Sequence, residues 1–260
     1  MAQTKAVDLF NPEVLADSIE GKLGNAVRFA PHARIDNTLE GQPGDTITRP
    51  KYGYVGPADE LVEGVPMDPA KLSMTTSQVT IKEAGKAVEV TEKAIITNLN
   101  GTMAEAENQI LLSLADKVEI DYVAELDKAL LSHAGAPTTA EAIMDAIAQF
   151  EDEDDENYIL FIHPTDYAEL AKSLIDGNTF LSRAQIADLI GVSEIERTRR
   201  VAAGTGFVQK QGAVEIVYKK RANVEGDHDI LARSFVLAGN QYYTVNLYND
   251  NGVVKIESAG

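Results

Sequence analysis

The chain has 260 residues, with 41 acidic against 23 basic, a formal net charge of −18, and neither cysteine nor tryptophan. The lack of cysteine excludes disulfides, thiolate metal sites and cysteine nucleophiles. The acidic balance repels nucleic-acid phosphates at long range and argues against sequence-specific DNA binding. A hydrophobic fraction of 44% supports a real core, in one large domain or two medium ones. No apolar run approaches the roughly twenty residues that span a bilayer, and Met1–Asn11 lacks a cationic and apolar signal pattern, so a cytoplasmic protein without a membrane partner is expected.

Residues 1–32 read as an arm that cannot form a core of its own. Asn11-Pro12 can start a short helix, with Val14, Leu15 and Ile19 on one face and Gly21 as a stop. Ile35–Ile95 is β-rich. Thr46-Ile47-Thr48-Arg49-Pro50 alternates as a half-exposed strand does, continues through Tyr52–Gly56, and carries a proline that confines it to an edge or a break. Pro57–Leu72, crowded with proline, glycine and charge, reads as an exposed tip. Return strands are expected over Met74–Glu83 and Ala87–Val90, making a long hairpin with no catalytic group placed for chemistry.

Thr102-Met103-Ala104-Glu105 has the pattern of a capping box. Met103, Ala106, Ile110, Leu114, Val118, Tyr122 and Leu126 then recur mostly four apart, with a second row of Leu111, Ala115, Val123 and Leu130. Gly135 and Pro137 are the expected stop, which predicts a helix of about 45–50 Å. Thr138–Gly212 reads as an α/β unit. It comprises a helix over Thr139–Phe150, an acidic run Glu151–Glu156 read as a solvated loop, and a buried strand Tyr158–Ile162. A helix from Pro164 through Ile175 and another over Arg183–Ile190, ending at Gly191, complete it. Strands are expected at Val214–Tyr218, Ile230–Leu237, Tyr242–Leu247 and Val253–Ile256, with Asn251-Gly252 as a hairpin turn between the last two.

Candidate chemistry is sparse. No two of His32, His133, His163 and His228 share a metal-ligand spacing. Asp227-His228-Asp229 fits a charged turn better than a metal site, and His163-Pro164-Thr165-Asp166 fits helix initiation better than an active-site corner. Gly204-Thr205-Gly206-Phe207 lacks the Gly-Lys-Ser/Thr end of a phosphate loop, and there is no G-x-S-x-G elbow. Catalytic, cofactor and metal residues are therefore all expected to be none, and the chain is not expected to be an enzyme. Arg197, Arg199 and Arg200 fit a phosphate or a neighbour's carboxylates as well as they fit, with Glu194 and Glu196, the solvated face of a strand.

In order, these elements resemble the major capsid proteins of tailed bacteriophages, of the Hong Kong 97 type. The resemblance is carried by Gly44-Asp45-Thr46-Ile47, by Asp59-Glu60-Leu61-Val62-Glu63-Gly64, by Lys86-Ala87-Val88-Glu89-Val90-Thr91 ahead of the long helix, and by Tyr158-Ile159-Leu160-Phe161-Ile162-His163-Pro164. It implies an α+β capsid fold with an N-terminal arm (1–32), an extended β-hairpin loop (33–80), a peripheral domain with the spine helix (81–136), an axial domain (137–212) and a closing β segment, mostly peripheral (213–260). It also implies a shell subunit in pentamers and hexamers, assembled in the host cytoplasm around double-stranded DNA that it meets by non-specific proximity. A separate scaffolding protein and a portal are expected partners. Asp59, Glu60, Glu63 and Lys71 of the loop tip are expected at subunit contacts, while no motif marks Lys51 or Lys71 for crosslinking. An encapsulin-like compartment is the alternative on the same fold.

Overall fold

The computed structural model describes residues 27–52, 55–58, 60, 66, 69–97, 102–152, 156–174 and 181–258. The helix anticipated after Asn11 lies outside them. The described chain enters through a single 3-10 turn, Ala30–His32, and a short strand β1 (Arg34–Asp36). It then forms a separate two-stranded ribbon from β2 (Thr46–Tyr52) and β3 (Met74–Thr80), in register from Thr46 opposite Thr80 to Tyr52 opposite Met74. Pro50 sits opposite Thr76; in a ribbon both strands are edges, so its missing N–H is tolerated.

The return strand changes partner at Ile81, where its alternation suggests one continuous strand: the Ile81 N–H makes a last bond across the ribbon to the carbonyl of Asp45 at 2.7 Å, and the chain then leaves it. Past this point β4 (Lys82–Thr91) joins a four-stranded sheet ordered β1-β9-β10-β4, with β9 spanning Val214–Asp229 and β10 spanning Ser234–Leu247. The two strands expected at Ile230–Leu237 and Tyr242–Leu247 are one strand, β10, with a register irregularity near Asn240–Tyr243. The turn of that hairpin lies at Ile230–Arg233.

After a short helix α1 (Glu92–Thr97), absent from the sequence reading, α2 (Thr102–Leu126) lies across this sheet. The expected stripe is buried from Ala106 to Leu126 and packs on Val90, Ala222, Val224, Leu237, Tyr243 and Val245. The close approach explains Gly239, where a Cβ would come within 2.5 Å of Ile110 Cγ2. At 25 residues, α2 is about 37 Å long, shorter than its periodicity suggests. The final turn tightens as the Lys128 and Ala129 N–H groups bond to the carbonyls of Glu125 and Leu126. Leu131–Ala134 then forms strand β5, parallel to β11 (Val253–Glu257). The capping box expected at Thr102 is not made: the Glu105 carboxylate accepts from Gln109 Nε2 instead, at 2.7 Å.

The second sheet is ordered β5-β11-β8-β6-β7, with β6 at Tyr158–Ile162, β7 at Glu194–Arg197 and β8 at Thr205–Lys210. Strand alternation divides β6 between two cores. Ile159 and Phe161 join the core under α2, whereas Tyr158, Leu160 and Ile162 face α3 (Ala140–Ala148), α4 (Pro164–Ser173) and α5 (Arg183–Ile190). This two-sided burial is why the strand reads as uninterrupted apolar sequence. Phe29, Tyr122 and Phe161 join the arm, α2 and β6, with Phe29 edge-on to Phe161 at 5.1 Å. Helix α5 ends at Gly191, whose φ of 76° suits glycine. Asn251-Gly252 is not a hairpin: it carries the chain from one sheet to the other, where β11 pairs with β8 and β5. Among the described residues, no helix is long and apolar enough to cross a membrane.

Candidate assembly surface

The ribbon β2–β3 presents most of its surface outward. Of β3, only Val79 is buried, at 6% exposure, while Met74 is 55% exposed. Threonine, serine and glutamine fill the remaining positions, so the strand pairs through its backbone without an apolar face of its own. A two-stranded ribbon of this kind is marginal in water unless something covers it.

Charge holds its root to the body. Arg49 on β2 reaches both Asp36 on β1 and Glu215 on β9, the latter at 2.9 Å. Glu215 is fully buried, and this burial, with the nearby Asp36 charge, pushes its carboxyl above the ordinary value despite Arg49 and Arg34. Burial acts on Asp36 too, but hydrogen bonds from Thr38 and Arg49 outweigh it and hold that carboxyl low. Lys219 Nζ donates to the Gly44 carbonyl beside the same root. Sequence reasoning missed this clamp. Its signal was a glutamate inside the apolar run Val214–Tyr218, a charge that needs a cation wherever that run is buried.

Of the expected tip contacts, Asp59 and Glu63 lie outside the described residues. Glu60 and Lys71 are exposed and form no ion pair among the described residues.

The three arginines at and just after the end of β7 do different things. Arg200 pairs with Asp116 and with Glu119, the latter at 2.6 Å, and so ties its loop to α2. Arg197 lies over the Tyr167 ring at 5.0 Å, and Arg199 is exposed. The solvated-face reading fails for Glu196, which is buried, pairs with Arg28 and sits 3.8 Å from His32 Nε2. Burial pushes the Glu196 carboxyl up, but His32 and Arg28 overcome that and hold it low. His32, Glu194 and Glu196 bring three metal-ligating atoms within 4.8 Å of one another, but His32 lies far from the other two in sequence, so the arrangement is illegible as a spacing. Arg28 and Arg183 already face the two carboxylates, which makes the cluster an anchor for the arm.

The other candidates are structural. Asp229 Oδ1 accepts from the N–H groups of Leu231 and Ala232 at 2.9 Å, closing the β9–β10 turn. His228 stacks on Phe235 and meets Glu92 at 3.0 Å. His163 Nδ1 caps α4 at the Thr165 N–H, 3.3 Å away, and Asp166 accepts from the Gly204 N–H at 2.7 Å. Within the acidic run, residues 153–155 lie outside the described set, but Asp152 is not merely solvated: it accepts from Lys210 and from the Tyr158 hydroxyl. Thr205, Gly206 and Phe207 lie within strand β8 and not in a loop. These ionisable groups have structural partners, buried or not, and what the surface offers is an uncovered ribbon with a charged root.

Comparison with known proteins points the same way. A family described as phage capsid protein matches residues 74–256. The major capsid protein of Staphylococcus phage phiMR11 is 30% identical over 261 residues, covering 97% of this chain and 95% of that protein. Among solved structures, the capsid of cyanophage P-SCSP1u superposes with a TM-score of 0.71 at 14% identity, over 90% of this chain and 88% of that one. A virus-like particle from Pyrococcus furiosus gives 0.68 at 12% identity, over 94% and 98%. At such identities the structural likeness is one of fold.

Proposed function

Because this chain belongs to the phage capsid protein family and has the α+β, Hong Kong 97-type fold expected from its sequence, we infer that it is a major capsid protein that self-assembles into the icosahedral head shell. The observation that carries this is the end-to-end match to a phage major capsid protein. The uncovered ribbon supports it physically: a shell closes when modest contacts repeat between identical subunits, and a ribbon adds contact area without enlarging the core. An encapsulin-like compartment would use the same fold, but the family and the curated relative both bear phage capsid names.

Within this reading, residues 33–80 are the extended loop over an adjacent subunit, with Asp59, Glu60, Glu63 and Lys71 at its contacts. Residues 81–136 and most of 213–260 form the peripheral domain, and residues 137–212 the axial domain around five-fold and six-fold axes. The role is structural and not catalytic. Assembly takes place in the host cytoplasm with a separate scaffolding protein and a portal, and the net charge of −18 keeps the packaged DNA from adhering to the wall. Negative-stain microscopy of the purified full chain tests the reading. Closed shells of uniform diameter are expected, far above the about 5 nm of a monomer this long. A uniform particle below about 10 nm under every condition would overturn it.

A further inference from the structure

One edge of the β2–β3 ribbon is blocked and the other is open. The Ile81 N–H bonds to the carbonyl of Asp45 opposite it, and in an antiparallel ladder such bonded pairs alternate with unbonded ones. Ile47 with Val79 and Arg49 with Ser77 are therefore bonded pairs, whose N–H and C=O groups turn into the ribbon. The residues between them turn theirs outward: Thr48 and Pro50 on the free side of β2, and Met74, Thr76, Gln78 and Thr80 on the free side of β3. Pro50 thus falls on an outward position, where it interrupts the row of donors and its ring holds off another strand. The outward row of β3 is complete, and among the described residues no third strand pairs with it.

The other outer strands of the fold are short or charged. Strands β1, β5 and β7 have 3, 4 and 4 residues, and β4 carries Lys82, Glu83, Lys86 and Glu89. Shortness, charge and proline are the usual guards against strand addition. Strand β3 has none of them: Met74–Thr80 is 7 residues long and holds neither charge nor proline, in a chain of net charge −18. Leu72 and Met74 add exposed apolar surface at its outer end.

We propose that the outer edge of β3 is the binding edge of the ribbon and takes an open strand of a second copy, backbone to backbone. This rests on the capsid reading and adds to it which edge is used and what kind of contact is made. Strand addition draws its affinity from main-chain hydrogen bonds, and the outward N–H and C=O groups of Thr76, Gln78 and Thr80 are placed to make them. The lack of charge selects the partner. Two copies of this acidic chain repel each other. They reach the about 4.8 Å separation of paired strands at least cost along a neutral edge, whereas a strongly cationic protein would find no countercharge on β3.

Proline at either end of one rung tests this. Thr48 and Gln78 stand opposite each other, and both turn their N–H groups outward, so neither Thr48→Pro nor Gln78→Pro removes a bond within the ribbon. Each is made in the full chain, shells are quantified by sedimentation and negative-stain microscopy, and urea unfolding of the dissociated subunit checks the fold. The proposal predicts that Gln78→Pro lowers the yield of shells at least about tenfold, while Thr48→Pro stays within about twofold of the unsubstituted chain. Thr76→Pro, at the rung whose other end is already Pro50, is the second variant and should fall as far as Gln78→Pro. Equal yields from Thr48→Pro and Gln78→Pro, whether high or low, would overturn the proposal. So would a loss confined to Thr48→Pro, which would put the partner on β2. Shells that ignore Gln78→Pro leave the capsid reading standing, whereas an unsubstituted chain that forms no shells would sink that reading and this proposal with it.

Discussion

Two antiparallel ribbons are built into this chain: β2–β3, with 7 residues in each strand, and β9–β10, with 16 and 14. In β9–β10 every second residue near the base is apolar and lies under α2, from Val214 and Ile216 across to Tyr243 and Val245. In β3, Val79 alone is buried, and the root of the ribbon is held by Arg49 between two carboxylates. Identical backbone pairing is thus stabilised by an apolar layer within the subunit in one case and left to ion pairs and outside contacts in the other. Hydrogen-bonded pairing does not by itself bury a ribbon; the difference lies in which side chains the pleat turns inward.

The sharpest way to break this contrast is Arg49→Ala. It removes the nearer of the two cations on the buried Glu215, leaving Arg34 at 3.7 Å, which costs about 3 kcal/mol, and chemical denaturation of the subunit should report that loss. Arg49→Met with Glu215→Gln should recover much of it. If Arg49→Ala is neutral, the ribbon root is not clamped by charge. Under the other ribbon, Leu114→Ala should cost about 2–5 kcal/mol, read as a lower urea midpoint, because Leu114 is enclosed between α2 and the sheet.

Acid should separate the clamp from the core. Asp36, Glu196 and Asp121 (on α2, where Lys82, the Tyr243 hydroxyl and Lys117 outweigh its burial) have folded-state values below their ordinary 3.8, 4.5 and 3.8. Their stabilisation is therefore complete above about pH 4.5 and lost as the pH falls through the lowered values. Glu215 runs the opposite way: its raised value means that protonation from neutral pH downward relieves a cost of burial. Thermal unfolding from pH 7 to 3 should show a maximum on the mildly acidic side and a fall below about pH 4. Asp121→Asn should reduce that fall, and Glu215→Gln should flatten the approach to the maximum. The smallest effect on the subunit belongs to Met74→Ser at the far end of the ribbon, within about 0.5 kcal/mol. The same substitution should lower the yield of shells, read by sedimentation, if the exposed Met74 meets a neighbour as the proposed loop contact requires.

What was legible in the sequence was local. Pro164 at the first turn of α4, Gly191 after α5 and the four-residue stripe of α2 each act within one element, and each lies where the sequence placed it. Errors arose where a distant partner decided. Leu131–Ala134 continues the helical region in composition, yet β11, about 120 residues later, recruits it as a strand. Asn251-Gly252 has a hairpin's residues, but the strand beyond it has better partners in β8 and β5. The real capping box, Ser182 with Gln185, went unread beside a stronger-looking pattern at Thr102. Of the assembly surface, the ribbon could be read from its alternation. The clamp could not, because Arg49, Asp36 and Glu215 meet only after β1 pairs with β9.

Hydrogen–deuterium exchange on dissociated subunits and on assembled shells tests the central claim most directly. The account predicts that amides of residues 46–52 and 74–80 exchange readily in the free subunit and become strongly protected in the shell, while those of β9 and β10 near their base are protected in both. Equal protection of β2–β3 in the two states would contradict it, because the ribbon would then find its cover within its own chain.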